Sequence, residues 1–337
     1  MARAPLVQVT RGTARESLHR GAVAVVDCAG RLRYRAGDPE MELFLRSSAK
    51  PLQAIPLVES GAAETFGFGE EEVAVTCGSH SAEPEHLAAV RSILDKAGLD
   101  EGALQCGVHP PLGAAQAAAL ERAGRAPTAL HHNCSGKHAG MLATCRARGW
   151  PVETYRAPEH PVQREIARIV GEFCGVPSDA LATGTDGCGV PTFHLTVWQT
   201  ALAFARLADP SDLGPRRSAA AARLARVMVA HPRMVAGTGR LDTVLMEALP
   251  GRLVAKEGAE GVSGIGLLDR GWGIGVKIED GSRRGLGAVV LETLRQLEFV
   301  SASDLDALAA HYRPEIRGTD GRVVGEMRAV FTLEKVS

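Results

Sequence analysis

At 337 residues with 45% hydrophobic content, the chain can bury a sizeable core and has the length of one large α/β domain or two modest ones. Its 38 basic and 39 acidic residues nearly cancel, and no stretch gathers like charges as a nucleic-acid arm or a membrane-surface helix would, which points away from both partners. The start, Met1-Ala2-Arg3-Ala4-Pro5, leads into a short apolar run broken by Arg11 instead of a signal core, and no run approaches the ~18 apolar residues of a membrane span, so a cytoplasmic protein is expected.

In chain order, Ala22 to Asp27 and Arg31 to Arg35 read as a hairpin, because β-branched and aromatic residues flank the short turn Cys28-Ala29-Gly30. Helices follow over Pro84 to Ala97, Gly136 to Arg148, Val162 to Phe173, Phe193 to Leu207 and Ser218 to Ala230, each with apolar residues three and four apart. The Ala-rich segments 114–119 and 218–224 are helix formers, not low-complexity tracts. Val262 to Leu268 and Trp272 to Glu279, split by Asp269-Arg270-Gly271, form a second strand pair; a helix over Leu286 to Leu297 and a last strand within Gly321 to Phe331 complete the chain. Strands at both ends with helices between them predict an α/β (α+β) architecture: one antiparallel sheet built from the two termini, in a single domain spanning 1–337 with a helical inserted region at roughly 80–230.

Arg46-Ser47-Ser48-Ala49-Lys50-Pro51 is the sharpest chemical feature. Ser and Lys three apart share a helix face, so a lysine amine made neutral by burial can take the serine proton, the Ser-x-x-Lys arrangement of serine acyl-transfer enzymes. Pro51 is comfortable only near a first turn, which places Ser47 at a helix N-terminus where free N–H groups favour developing negative charge. The same spacing also arises by chance in chains of this size.

Thr76-Cys77-Gly78-Ser79-His80-Ser81-Ala82-Glu83-Pro84 runs through a polar turn into a helix. It presents hydroxyls to a ligand or, more plainly, caps the helix through Ser81. Lys256 ends an apolar segment in a Gly-rich turn and, taken alone, reads as a solvated surface lysine.

His131-His132-Asn133-Cys134-Ser135-Gly136-Lys137-His138 and Thr185-Asp186-Gly187-Cys188-Gly189 each hold a cysteine in a polar, glycine-flanked loop. Thiolates beside histidines suit zinc, but no tight Cys-x-x-Cys spacing is present; the alternatives are a thiol nucleophile paired with a histidine, or cysteines that happen to border turns. The seven cysteines are odd in number and scattered, unlike the framework of a small secreted domain, and are expected as reduced thiols. His109, His160, His194 and His231 are scattered and expected to be capped or half-buried.

Together these segments, with Asp186-Gly187-Cys188-Gly189-Val190-Pro191, Val235-Ala236-Gly237-Thr238-Gly239-Arg240 and Lys256-Glu257-Gly258-Ala259-Glu260-Gly261, resemble the class 3, rhizobial-type L-asparaginases in order from about residue 8 to residue 330. The resemblance implies a fold similar to serine β-lactamases and penicillin-binding proteins, and hydrolysis of L-asparagine to L-aspartate and ammonia. It implies two Ser–Lys pairs, Ser47 with Lys50 and Ser79 with Lys256, and a zinc ion held near the substrate by Cys134, Lys137 and Cys188. Lysine is an unusual ligand because its amine must lose a proton to bind. Arg46, His138 and Asp186 are then candidates for substrate binding, Arg46 for a carboxylate and Asp186 for an ammonium or for orienting Lys137. A homodimer is the expected assembly. Lys-Thr-Gly is absent, with Lys256-Glu257-Gly258 standing near where penicillin-binding relatives would carry it, which argues against a β-lactam target. A penicillin-interactive acyl enzyme and a non-catalytic amino-acid-binding protein remain the rival readings.

Overall fold

The computed structural model describes residues 3–336. Met1 and Ala2, the head of the segment read above as lacking a signal core, lie outside the described residues, as does Ser337. Among the described residues no helix is long and apolar enough to cross a membrane.

Among the described residues, twelve strands form two sheets. The first seven are β1 (Ala4–Arg11), β2 (Ala14–Asp27), β3 (Leu32–Ala36), β4 (Glu42–Phe44), β5 (Thr183–Thr185), β6 (Pro191–Thr196) and β7 (Leu253–Glu257). After them come β8 (Val262–Leu267), β9 (Trp272–Ile278), β10 (Glu315–Arg317), β11 (Val323–Ala329) and β12 (Glu334–Lys335). The large antiparallel sheet runs β10-β11-β1-β2-β9-β8-β7, with β3 paired to β2 and β12 to β3; β4-β6-β5 form a small one. N-terminal and C-terminal strands therefore share one sheet, as the sequence predicts.

The joint is the pairing of β2 with β9, in register from Gly21 opposite Ile278 to Asp27 opposite Trp272. Every residue of β2 from Gly21 to Asp27 is buried, which matches an apolar run without alternation covered on both faces. Helix Val197–Ala208 lies across β2, β8 and β9. It comes so close that a Cβ on Gly273 would run into the Ala201 carbonyl, so only glycine fits there.

Between β3 and β7 the chain is mainly helical. Pro84–Lys96, Ser135–Arg148, Pro161–Cys174 and Pro215–Ala230 match the predicted helices to within a few residues. Arg217, buried among them, forks onto both oxygens of Glu59 and reaches Glu172, tying helix Pro215–Ala230 to its neighbours. The helix expected from Phe193 starts at Val197 instead. Residues 193–196 alternate buried and half-buried and pair with both β4 and β5, and Thr196 caps the helix by accepting from the Gln199 N–H at 3.2 Å. Ser81 does not cap helix Pro84–Lys96: Glu83 takes the N-cap position, and the Ser81 hydroxyl donates to the Ala236 carbonyl at 2.9 Å. The 3-10 turn Arg46–Ala49 sits against β6, β7 and β8, which brings the sequence motifs together at the boundary between large sheet and helices.

Candidate active site

Ser47 stands second in the turn Arg46–Ala49, which passes directly into helix Lys50–Gln53 with Pro51 in its first turn. This is the helix-start placement that Pro51 predicts. Arg46 sets the entry. Its φ of 49° lies in the left-handed region, uncommon for a residue with a Cβ, and is held by Arg46 N–H to Thr192 Oγ1 at 3.1 Å and by the guanidinium Nε on Asp186 Oδ1 at 2.6 Å. Ser48 folds back onto the Leu45 carbonyl, while Ser47 is half-buried.

Lys50 is fully buried. Its Nζ donates to the Gly78 carbonyl at 2.6 Å, the Asn133 carbonyl at 3.3 Å and Ser79 Oγ at 2.9 Å. The lysine three residues after Ser47 thus meets the other predicted serine. Burial pushes the Lys50 ammonium down from 10.5 to about 8; the Cys134 thiolate opposes this and the charges of Lys137 and Lys256 add to it. A neutral amine keeps two N–H groups for the two carbonyls and has a lone pair to accept the Ser79 hydroxyl.

Ser79 is positioned by close backbone packing. Its N–H donates to the Val235 carbonyl at 2.8 Å, and a Cβ on the preceding Gly78 would stand 2.7 Å from the Met234 carbonyl. Next to it, His80 Nδ1 accepts from the Ala82 N–H at 3.2 Å, so Nε2 carries the proton toward Ser135 Oγ at 2.8 Å; burial, with His86 stacked alongside, keeps this imidazole neutral.

Lys256 is fully buried in β7, not a solvated surface lysine. Its Nζ donates to Asp242 Oδ2 at 3.1 Å and to the Glu257 carbonyl at 2.8 Å, and Asp242 in turn accepts the Glu257 N–H. Asp242, in the first turn of helix Leu241–Ala248, carries no signal in the sequence.

A second cluster adjoins the first. Cys134 stands at the N-cap position of helix Ser135–Arg148 without a capping hydrogen bond, and Cys188 sits in the turn between β5 and β6, both buried and with free thiols. Lys137 Nζ lies 3.0 Å from Cys188 Sγ. The neighbouring Cys188 sulfur drives Cys134 well below the usual thiol range against the cost of burial, helped by Lys50 and Lys137. Burial lowers the Lys137 ammonium, but the charges of Cys188, Cys134 and Asp186 outweigh it and raise the group above its ordinary value. His138 is fully buried; Nδ1 meets the Tyr155 hydroxyl at 2.6 Å, Nε2 has no close hydrogen-bond partner among the described residues, and burial, opposed by the nearby Cys188 sulfur, pushes the ring down to about 4.

Among the described residues, no three His, Cys, Asp or Glu side chains are arranged to hold a metal ion. The donors present are two adjacent sulfurs, one of them readily ionised, an amine against the other, and an orphaned imidazole nitrogen on the residue after Lys137. By donor chemistry alone, the two sulfurs and the amine would suit a borderline-soft divalent ion such as zinc, and Lys137 would have to release a proton to join them.

The sequence did not single out the Asn133 carbonyl on Lys50, nor His109, whose ring lies 4.1 Å from that of His132 and whose Nε2 meets Asn133 Oδ1 at 3.0 Å. Burial, reinforced by His109, pushes His132 down to about 4.

A buried lysine on a serine hydroxyl, at the junction of an antiparallel sheet and a helical layer, defines a candidate active site of the serine–lysine type. The chain belongs to the L-asparaginase II family, whose profile matches residues 7–329. No match was found among curated proteins. Among solved structures, Mglu in its native form is 19% identical, with 85% of this chain and 66% of that one covered and a TM-score of 0.43. A β-lactamase from Mycobacterium bovis is 16% identical with 87% and 94% covered and a TM-score of 0.40. A D-alanine carboxypeptidase from Burkholderia cenocepacia is 14% identical with 81% and 93% covered and a TM-score of 0.36. The chain thus spans about two thirds of the length of Mglu.

Proposed function

We propose that this protein is an L-asparaginase, an amidohydrolase releasing ammonia from the side-chain amide of L-asparagine by acyl transfer to a serine. Membership of the L-asparaginase II family supports the amide substrate, and the observation that carries the chemistry is Lys50 Nζ at 2.9 Å from Ser79 Oγ, with the lysine lowered to about 8. Ser47, the half-buried hydroxyl at the helix start, attacks the amide carbon. Its proton passes to Lys50, with Ser79 as relay, and leaves with the departing ammonia. Water then cleaves the ester, freeing aspartate and restoring the serine. Lys256, fixed by Asp242, contributes positive charge that helps to lower Lys50. A second assignment, Ser79 itself as nucleophile, is favoured by its direct contact with Lys50.

Cys134, Cys188 and Lys137 would hold zinc, with His138 Nε2 beside them; bound there, the ion would supply a Lewis-acid anchor for substrate. Arg46 offers a guanidinium fork for the substrate carboxylate and Asp186 a carboxylate for its ammonium, each now occupied by the other.

Ammonia release from asparagine and glutamine, measured side by side, tests the reading. One added methylene misplaces the carboxamide at a cost of ~1–3 kcal/mol in a fitted pocket, so asparagine should be preferred about tenfold or more. Equal rates from both, or none from either, would overturn it.

A further inference from the structure

Beyond Arg240 and Glu257, a cavity of about 400 Å³ opens to solvent, lined by these two residues and by Leu241, Arg283, Arg284 and His311 among others. Three guanidinium charges against one carboxylate leave an excess of positive charge facing this space, with His311 as a further titratable group. The guanidinia are already set to grip an oxyanion: Glu257, buried at the cavity wall, accepts from Arg240 Nη2 at 3.3 Å and from Arg283.

Arg284 is oriented from behind. Its Nε donates to His19 Nε2 at 2.9 Å and its Nη2 to Ser17 Oγ at 3.1 Å, while His19 Nδ1 is fixed on Asp280 at 2.6 Å. A surface arginine that is merely solvated needs no such support. Arg283 remains 45% exposed and spends one donor on Glu257, so donors remain for a ligand arriving from solvent. Two helix starts reach the same cavity, Leu241 of helix Leu241–Ala248 and Gly287 of helix Leu286–Gln296, and neither has a side-chain cap. Both terminal dipoles favour negative charge.

We propose that this cavity is a second, regulatory anion site that takes a small doubly charged oxyanion, either phosphate or a dicarboxylate. Its walls are hydrogen-bonded to the candidate catalytic groups: Arg240 Nη1 donates to the Ser79 carbonyl at 3.3 Å, and the Glu257 carbonyl accepts from Lys256 Nζ at 2.8 Å. An anion that draws Arg240 and Arg283 off Glu257 therefore acts on the backbone carrying Ser79 and Lys256. The regulatory half rests on the proposed function, whereas the binding half stands on the cavity alone.

The test is titration calorimetry on the full chain with inorganic phosphate and with succinate, at matched ionic strength, beside steady-state asparagine hydrolysis with and without each anion. Saturable one-to-one binding of either anion is expected, and which one binds identifies the source. Arg284→Ala, which leaves the Arg283–Glu257 contact in place, should weaken it roughly tenfold or more, while turnover without anion is retained. The bound anion should change kcat without simply raising the apparent KM. Three results would overturn the proposal: no binding at millimolar anion, binding indifferent to Arg284→Ala, or pure competition with asparagine, which would make the cavity part of the substrate pocket. Calorimetry reads binding whether or not asparagine is hydrolysed, so the two readings fail separately.

Discussion

Lys50 and Ser79, far apart in sequence, meet at 2.9 Å between amine and hydroxyl, although the serine three residues before Lys50 is the partner that the local spacing suggests. The lysine is shared between two chain carbonyls and one hydroxyl, so its protonation state decides whether that hydroxyl receives or gives a hydrogen bond.

The first prediction concerns pH. A base must be unprotonated, and burial brings Lys50 down to about 8, so the active fraction grows as pH rises toward that value and saturates above it. The logarithm of kcat/KM should climb by about one unit per pH unit below pH 8 and then level off. A pH–rate profile that peaks below about pH 6 would contradict a lysine base, since such an optimum suits a carboxylate pair.

The two serines are separable by trapping. With Ser47 as nucleophile, Ser47→Ala should lose about 10³-fold or more in kcat and fail to form a covalent adduct with an electrophilic asparagine analogue, while Ser79→Ala loses rate but still reacts at residue 47. Peptide mass spectrometry after reaction reads the site directly. An adduct on Ser79 would transfer the nucleophile's role to the residue that touches Lys50.

Lys256 and Asp242 form a pair with side-chain exposures of 0% and 1%. Removing one charge strands the other away from water, so Lys256→Met should cost ~3–5 kcal/mol in urea unfolding. Adding Asp242→Asn, which removes the stranded charge and keeps an acceptor for the Glu257 N–H, should recover a large part of that loss. A Lys256→Met protein as stable as its parent would show that the pair does not hold β7 to helix Leu241–Ala248.

How much of this was legible follows from what kind of group does the work. The second half of β2 with β3, and β8 with β9, show in sequence because β-branched and aromatic runs flank Gly turns, and the Ser47–Lys50 segment because its spacing is local, whereas β1 and β7 go unread. Lys256 misleads because the residues after it look like an exposed turn; its burial is set by pairing with β8 and by Asp242, fourteen positions earlier. Asn133 acts on Lys50 through its backbone carbonyl, which any residue would supply, so no side-chain pattern announces it. The left-handed backbone at Arg46 is imposed by Thr192 and Asp186, distant in the chain, and is equally silent. Cys134 and Cys188 meet only through the turn between β5 and β6, and resemblance to known asparaginases, not spacing, paired them.

The last prediction separates metal chemistry from serine chemistry. Cys134 is driven toward thiolate, and an ionised sulfur beside a second sulfur is either a metal ligand or a nucleophile. If it is a ligand, purified protein should contain close to one zinc per chain by elemental analysis. Cys134→Ser and Cys188→Ser should each lose the metal, because a hydroxyl is a far poorer ligand than a thiolate. Lys137→Ala, which removes the amine 3.0 Å from Cys188, should weaken zinc retention less, with both sulfurs still in place. Ser47→Ala should keep its zinc, since that hydroxyl belongs to the acyl-transfer cluster. Loss of metal should raise the apparent KM for asparagine more than it lowers kcat, because the ion anchors substrate in this scheme. A metal-free, fully active parent whose Cys134→Ser variant is dead would instead make Cys134 the nucleophile and remove the zinc site from the mechanism.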